Sequence, residues 1–201
     1  YNFNMNKKGN NMNIKYPVGT NKDKKINKVK TFGNRGMTLE DDLNLTNYYY
    51  LEKNIAVIHK KPTPIQVIKT SLNKITLAYF KEPSTTDYNG LYKGKYIDFE
   101  AKETTSKTSF PLENIHKHQI KRIRKIDEHK GICFIIVRFN NLNTTYLLFA
   151  KDFLNFIDNN TRKSIPLSYF EDKGYKIKFN LNPRLDYLKI VDEHGGIYEK
   201  F

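Results

Sequence analysis

The chain has 201 residues, and 35 Lys and Arg against 21 Asp and Glu give a formal net charge of +14. This length predicts one globular domain with an appendage, and a hydrophobic content of 38% is enough to form a core. The single cysteine, Cys133, excludes a disulfide framework and the cysteine-rich zinc modules. The longest apolar run, residues 132–137, is too short to span a membrane, and the polar N-terminus has no signal-peptide core, so we expect a cytoplasmic protein. The positive charge predicts a polyanionic partner, with nucleic acid favoured over an anionic membrane surface.

Half of the excess charge lies in an N-terminal segment. Residues 1–30 contain eight Lys, one Asp and eight Asn, and too few apolar residues to fold alone. One interpretation is a flexible basic arm that lies on phosphates. The alternative is the Lys and Asn bias of an AT-rich genome.

Helices and strands are predicted in alternation along the rest of the chain. Thr38 followed by Asp41 resembles a capping box and predicts the start of a helix. The predicted elements in chain order are a helix to about residue 52, a strand at 55–59, hairpin strands at 65–68 and 75–80, a polar loop at 84–90, a strand at 95–102, a helix at 112–129, strands at 132–139 and 145–150, a helix at 151–157, and strands near 175–179 and 185–191. This order predicts an α/β domain built around one mixed sheet.

The strand at 95–102 carries an unusual set of charges. Side chains alternate along a strand, so Asp98, Glu100 and Lys102 share one face, each about 6.6 Å from the next. Two carboxylates on an otherwise apolar strand are costly to bury without partners. The alternative is a solvent-facing strand on which these charges have no role.

An upstream acid favours the functional interpretation. Asp87 precedes Glu100-Ala101-Lys102 by thirteen residues, which places a carboxylate in the loop before an E-x-K strand. Two hard oxygen ligands with water suit Mg²⁺ in phosphoryl chemistry. The lysine can orient the attacking water and stabilise developing negative charge. This is the pattern of restriction-endonuclease-like nucleases, although the pattern alone is weak.

A glutamine in the following helix adds to the set. Gln119 lies four residues from both Ile115 and Ile123, on the face predicted to be buried. There it can bond to a ligand carboxylate, to bound water or to the metal, or else to a backbone carbonyl at the helix edge. Lys121 lies on the opposite, basic face, which is suited to phosphate contacts or is simply solvated.

Four segments, at residues 34–43, 58–64, 83–90 and 94–104, closely resemble the RecU family of Holliday-junction resolvases from Gram-positive bacteria and mollicutes. The likeness extends from about residue 31 to the C-terminus. It implies a restriction-endonuclease-like fold, with a central mixed β-sheet flanked by helices and a protruding β-hairpin stalk at about 62–82. It also implies a single nuclease domain over 31–201, and a homodimer that nicks two opposing strands of a four-way DNA junction.

The resemblance also implies roles for individual residues. The metal-site positions are Thr85, Asp87, Glu100 and Gln119, and Lys102 matches the lysine that stabilises the transition state. Asp98 is not among these positions, and we expect at most a supporting role for it. The positions expected to contact DNA are Arg35, Lys60, Lys61, Lys69, Lys74, Phe80 and Lys121. The implied cofactor is Mg²⁺, for which Mn²⁺ can substitute, and a recombinase or a branch-migration helicase are candidate protein partners.

Two other functions stay open at this point. A junction-binding protein or recombination mediator without catalysis would share the charge and the hairpin, but it would leave Glu100 and Lys102 unexplained. A sequence-specific restriction enzyme of the same fold would cut linear duplex DNA without preferring junctions.

Overall fold

A six-stranded mixed sheet forms the centre of the protein, which we describe from a computed structural model. The structure describes residues 37–81 and 85–195, all of which lie in one structural unit. The predicted basic arm at residues 1–30 and the predicted DNA contact Arg35 lie outside the described residues.

Five helices and ten strands are assigned in these ranges. The helices are α1 (Leu39–Glu52), α2 (Lys117–Glu128), α3 (Ala150–Asn159), α4 (Leu167–Lys173) and α5 (Tyr187–His194). The strands are β1 (Val57–Lys60), β2 (Ile65–Ser71), β3 (Lys74–Phe80), β4 (Tyr88–Tyr92), β5 (Lys95–Thr104), β6 (Ser109–Pro111), β7 (Ile132–Phe139), β8 (Thr144–Phe149), β9 (Ser164–Pro166) and β10 (Tyr175–Ile177). None of these helices is long and apolar enough to cross a membrane.

The central sheet has the strand order β1-β4-β5-β7-β8-β10. Strands β5 and β7 pair in parallel, and α2 forms the crossover between them. The other neighbours in this sheet pair antiparallel, as short connections allow. The strand that carries Glu100 and Lys102 therefore lies inside the sheet, with a partner on each side.

Helices cover both faces of this sheet. On one face, Leu43 and Tyr50 of α1 and Tyr187 of α5 belong to the same core as Phe99 of β5 and Phe134 of β7. On the other face, Ile123 of α2, Phe153 of α3 and Phe170 of α4 belong to a core with Ile135 and Val137 of β7. Because both faces are covered, the polar residues Asp98 and Glu100 in the middle of β5 are buried.

The hairpin formed by β2 and β3 pairs with no other strand in the described part of the chain. Leu72 and Asn73 at its tip have φ of 46° and 62°, the left-handed backbone that tight hairpin turns require. All side chains of β2 and β3 are exposed except the half-buried Gln66. The hairpin therefore has no core of its own and offers both faces to a partner.

The predicted α/β class, with a central mixed sheet, flanking helices and a hairpin outside the sheet, is confirmed. The capping box is also confirmed, because Asp41 N donates to Thr38 Oγ1 and Thr38 N donates to Asp41 Oδ2. Several predicted elements differ from the structure. The strand predicted at 185–191 is wrong, since α5 occupies this part of the chain, and the helix predicted from 112 begins at Lys117 after a short 3₁₀ turn. Part of the predicted polar loop at 84–90 forms β4.

Candidate active site and metal centre

A cleft of about 600 Å³ lies where three parts of the domain meet. Its walls are the N-terminus of α1, the residues that follow β1, and the 85–87 loop together with the end of β5. Thr85, Asp87 and Lys102 all line it. Lys102 of β5 therefore shares one cavity with Thr85 and Asp87 of the preceding loop.

Burial of the β5 carboxylates excludes the solvent-facing alternative for this strand. Asp98 and Glu100 have 0% exposure, whereas the side chain of Lys102 keeps 23%. A buried carboxylate needs hydrogen bonds or an opposite charge, so each of the two requires partners from other elements. The partners differ, and they divide the polar face of β5 into two clusters.

The first cluster contains the three predicted catalytic residues. Lys102 Nζ lies 2.5 Å from Glu100 Oε1 and 3.9 Å from Asp87 Oδ2. The same Asp87 oxygen accepts a hydrogen bond of 3.1 Å from the backbone N–H of Ala101. This bond holds the Asp87 carboxylate against β5, between Glu100 and Lys102.

The raised pKa of Glu100 indicates that the two carboxylates of this cluster have too little positive charge near them. Burial and the neighbouring Asp87 carboxylate raise the pKa of Glu100 to about 8, although Lys102 acts in the opposite direction. Glu100 Oε2 is buried and has no hydrogen-bond partner. An unpartnered carboxylate oxygen near a second carboxylate fits a divalent cation, which would offset the repulsion that raises this pKa.

The number of ligands also fits a cation that keeps much of its water. Among the described residues, no group of three or more His, Cys, Asp or Glu side chains could hold a metal ion. Asp87 and Glu100 would thus be the only carboxylate ligands from the described part of the chain. Mg²⁺ is commonly bound in this way, by one or two carboxylates with water and phosphate oxygens. Thr85 lines the same cleft and can add a hydroxyl oxygen.

Gln119 lies next to the cluster but is directed at Glu100. Its Nε2 donates a 2.6 Å hydrogen bond to Glu100 Oε1. Its Oε1 accepts a 2.9 Å bond from the backbone N–H of His116 at the start of α2. Of the two ends of the Gln119 amide, only the oxygen can accept from a backbone N–H, so this bond fixes which end faces His116 and which faces Glu100. In this arrangement the predicted metal-site residue holds the carboxylate rather than offering its own oxygen.

The second cluster surrounds Asp98 and was not predicted in detail. Asp98 accepts hydrogen bonds from Thr86 Oγ1, from Lys61 Nζ at 2.9 Å and from Tyr96 OH at 2.7 Å. Arg122 of α2 lies 3.7 Å from the same carboxylate. Alternation along β5 places Asp98 on the face of Glu100, but no pattern in the sequence reveals its partners.

The residues predicted to contact DNA occupy different surroundings. Lys69, Lys74 and Phe80 are exposed on the hairpin, and Phe80 is 78% exposed. Lys121 is exposed on α2. These four are accessible to a partner, and their contact with DNA stays a prediction.

The two neighbouring lysines after β1 differ from each other. Lys60 is exposed and forms an ion pair with Glu40 at the mouth of the cleft. The side chain of Lys61 is only 16% exposed and points to Asp98 inside the protein. The structure therefore offers Lys60, but not Lys61, to a bound phosphate.

Comparisons with known proteins place this chain among recombination nucleases. The family model described as Recombination protein U matches residues 34–193. A Holliday junction resolvase RecU of Pediococcus pentosaceus is 49% identical over 196 residues, which cover 90% of this chain and 98% of the relative. The RecU of Oceanobacillus iheyensis is 54% identical over 172 residues, or 82% of this chain and 88% of the relative. Among solved structures, the Holliday junction resolvase Hjc of Archaeoglobus fulgidus matches with a TM-score of 0.40 and 10% identity, over 68% of this chain and 92% of its own.

Proposed function

The chain belongs to the Recombination protein U family, and from this membership we propose that it is a Holliday junction resolvase, an endodeoxyribonuclease that resolves four-way DNA junctions during homologous recombination and repair. The observation that supports catalysis in this chain is that Lys102 lies close to both Asp87 and the buried Glu100, at a cleft that Asp87 and Lys102 line. A protein that only bound junctions would have no use for two carboxylates held together within a basic molecule.

The proposed cofactor is Mg²⁺, for which Mn²⁺ can substitute. Asp87 and Glu100 would hold the ion, Thr85 would contribute its hydroxyl, and Gln119 would keep the Glu100 carboxylate in place. When bound, the ion polarises the scissile phosphate and lowers the pKa of a water molecule.

Lys102 completes the proposed mechanism. Its ammonium lies against Glu100 and near Asp87, so it can orient a water molecule and stabilise the negative charge that develops on the phosphate. The water oxygen forms a bond to phosphorus in line with the P–O3′ bond, which breaks. A proton reaches the departing oxygen, and the products are a 5′-phosphate and a 3′-hydroxyl.

The proposed substrate and assembly follow from the symmetry of the reaction. A four-way junction has two opposing strands to cut, and a homodimer with one site in each protomer would make paired nicks. We assign junction binding to the hairpin at about 62–82 as a stalk, with Lys60, Lys69, Lys74, Phe80 and Lys121 near DNA, and we keep the basic arm at 1–30 as a candidate contact. The proposed location is the cytoplasm, with a recombinase or branch-migration helicase as candidate partners.

One assay tests this proposal. A synthetic four-way junction with labelled strands is incubated with the protein in Mg²⁺ or in chelator, beside a linear duplex of the same sequence. We expect symmetric nicks in the junction only in Mg²⁺, and no cleavage by Asp87→Asn, which should still bind the junction. Binding without product would favour a recombination mediator, and equal cleavage of the duplex would favour a restriction enzyme. Near-normal cleavage by Asp87→Asn would show that the assigned site is wrong.

A further inference from the structure

The hairpin is connected to the active site at its base. β2 begins at Ile65, shortly after Lys61, and β3 ends at Phe80, shortly before the loop that contains Asp87. The base is closed by a 2.9 Å hydrogen bond from Lys81 N to Pro64 O. The base of the hairpin therefore adjoins the cleft, because residues 62–64, which lead into β2, line it.

Lys61 joins these two regions through both its backbone and its side chain. Its backbone N–H donates a 2.8 Å hydrogen bond to the carbonyl oxygen of Asp87. Its Nζ donates to Thr86 Oγ1 at 2.8 Å and to Asp98 Oδ2 at 2.9 Å. Lys61, which precedes the hairpin, therefore binds the backbone of Asp87, a proposed metal ligand, and the side chain of the adjacent Thr86.

Asp98 is the fixed point of this arrangement. It has 0% exposure and lies on β5, which pairs with β4 on one side and β7 on the other. One carboxylate oxygen accepts from Thr86 Oγ1, and the other accepts from Lys61 Nζ and Tyr96 OH. Thr86 lies between Thr85 and Asp87 and is itself 1% exposed, so anchoring Thr86 inward leaves its two neighbours on the cleft.

We infer that Lys61 and Asp98 are positioning residues that couple the hairpin to the 85–87 loop. Asp98 holds the loop in place through its hydrogen bond with Thr86. Lys61, next to the base of the hairpin, binds the same carboxylate, so a displacement of the hairpin base would be transmitted to the loop. This inference rests on the proposed function, because it assigns the hairpin to junction binding and the loop to metal binding. It also changes the expected role of Lys61 from a phosphate contact to an internal ion pair.

Burial and charge support this role over a phosphate contact. To reach a phosphate, the Lys61 ammonium would have to leave a carboxylate that is fully removed from water, and a buried charge without its partner is strongly unfavourable. Lys60, one residue earlier, is exposed and can bind phosphate without such a loss. The two adjacent lysines therefore form a matched pair for an experiment.

The decisive variants are Lys61→Met, which keeps an unbranched side chain one atom shorter and without charge, and Asp98→Asn, which keeps the shape of the carboxylate. Lys60→Met is the variant expected to lose a phosphate contact. Lys189→Met, on the exposed side of α5, measures the effect of removing one positive charge elsewhere. Each variant is tested for folding by thermal melting.

Three measurements separate positioning from DNA contact. Junction affinity is measured in Ca²⁺ over a range of salt concentrations, the single-turnover nicking rate is measured in Mg²⁺, and Mn²⁺ binding is measured by calorimetry without DNA. We expect the junction affinity of Lys61→Met and Asp98→Asn to depend on salt as that of Lys189→Met does. Compared with the wild type, both variants should nick at least about 10-fold more slowly and bind Mn²⁺ about 10-fold more weakly. We expect Lys60→Met to reduce the salt slope by about one.

Several results would overturn the inference. A salt slope for Lys61→Met as low as that of Lys60→Met would identify a phosphate contact, and unchanged nicking and Mn²⁺ binding would exclude positioning. If Lys61→Met does not fold, the double variant K61M/D98N removes both charges together, and it should fold but still bind Mn²⁺ weakly. Normal Mn²⁺ binding by the double variant would also reject the inference. Failure of the wild type to nick junctions would reject the proposed function alone, because the Mn²⁺ comparison needs no DNA.

Discussion

Gln119 donates its side-chain amide to Glu100 at 2.6 Å, while its own oxygen accepts the backbone N–H of His116 at 2.9 Å. One residue therefore caps the start of α2 and holds a buried carboxylate of β5. One turn later on the same helix, Arg122 lies 3.7 Å from Asp98, the other buried carboxylate of that strand. α2 thus supports both carboxylates, and of the two only the Glu100 carboxylate retains an unpartnered oxygen.

Replacement of Gln119 tests this supporting role. Gln119→Leu keeps a side chain of similar size but removes the hydrogen bond to Glu100, so the carboxylate loses its orientation. We expect the nicking rate to fall about 10- to 100-fold, with a higher Mg²⁺ requirement and unchanged junction affinity in Ca²⁺. Gln119→Glu would place a third carboxylate at the site and should be more harmful at neutral pH. Wild-type Mg²⁺ dependence in Gln119→Leu would contradict the assignment.

The raised pKa of Glu100 predicts that the folding stability of the metal-free protein changes with pH. Its pKa is about 8 in the folded protein against an ordinary value of 4.5, so the folded state binds the extra proton between these values. Folding stability contributed by this group is present below pH 4.5 and is lost as pH rises towards 8. We therefore expect Glu100→Gln, in chelator at pH 8, to melt several degrees above the wild type, while its nicking activity is abolished.

The comparison is made by thermal melting at pH 5 and at pH 8, with and without Mg²⁺. The stabilisation by Glu100→Gln should be smaller at pH 5, where Glu100 is protonated in the wild type. Added Mg²⁺ should raise the melting temperature of the wild type at pH 8 but not that of the variant. A variant that is less stable than the wild type at pH 8 in chelator would contradict the raised pKa.

Local signals made parts of this fold predictable from sequence. The capping box at Thr38 and Asp41 depends on residues three positions apart, and the continuous apolar run of β7 needs no knowledge of its neighbours. The D…E-x-K spacing anticipated that Asp87, Glu100 and Lys102 lie together, because β4 and β5 form a hairpin in which Tyr88 pairs with Phe99 and strand alternation puts Glu100 and Lys102 on one face. These features are encoded within short windows of sequence.

Other features depend on contacts between distant segments. β4 contains Asn89 and Gly90, which disfavour strands, and it forms because β1 and β5 pair with it on both sides. The apolar residues after Leu185 suit either a strand or a helix, and packing against α1 and the sheet selects α5. Three of the four partners of Asp98, namely Lys61, Thr86 and Arg122, come from segments outside β5, so its burial could not be read from the pattern of β5.

The hairpin lysines predict a change in binding without a change in stability. Lys69 and Lys74 are exposed on strands that lie outside the central sheet, so K69A/K74A should leave the melting temperature unchanged. If both contact phosphates, the slope of log affinity against log salt should decrease by about two in junction binding. Fluorescence anisotropy at several salt concentrations measures the slope, and Lys189→Ala serves as the control for lost charge. An unchanged slope would exclude the two lysines from the interface.

The close approach of Gly90 to β1 predicts that this position cannot accept even the methyl group of Ala. A Cβ on Gly90 would lie 2.0 Å from the carbonyl oxygen of Val57 and 2.7 Å from Cα of Ile58, both in the backbone of β1. Neither atom can move without breaking the pairing of β4 with β1, which brings the residues after β1 to the 85–87 loop. We expect Gly90→Ala to reduce the free energy of unfolding by more than about 3 kcal/mol and to slow nicking in what remains folded.

Gly94 provides the matched control for this prediction. It has φ of +76°, and a Cβ on this residue would have no neighbouring atom within 4 Å, so only backbone strain opposes a side chain there. Asn tolerates the left-handed region, and Gly94→Asn should therefore lose less than about 1 kcal/mol. Urea unfolding followed by far-ultraviolet circular dichroism measures both variants, since the chain contains no Trp to report by fluorescence. Equal losses for Gly90→Ala and Gly94→Asn would show that the close approach of β4 to β1 does not limit this position.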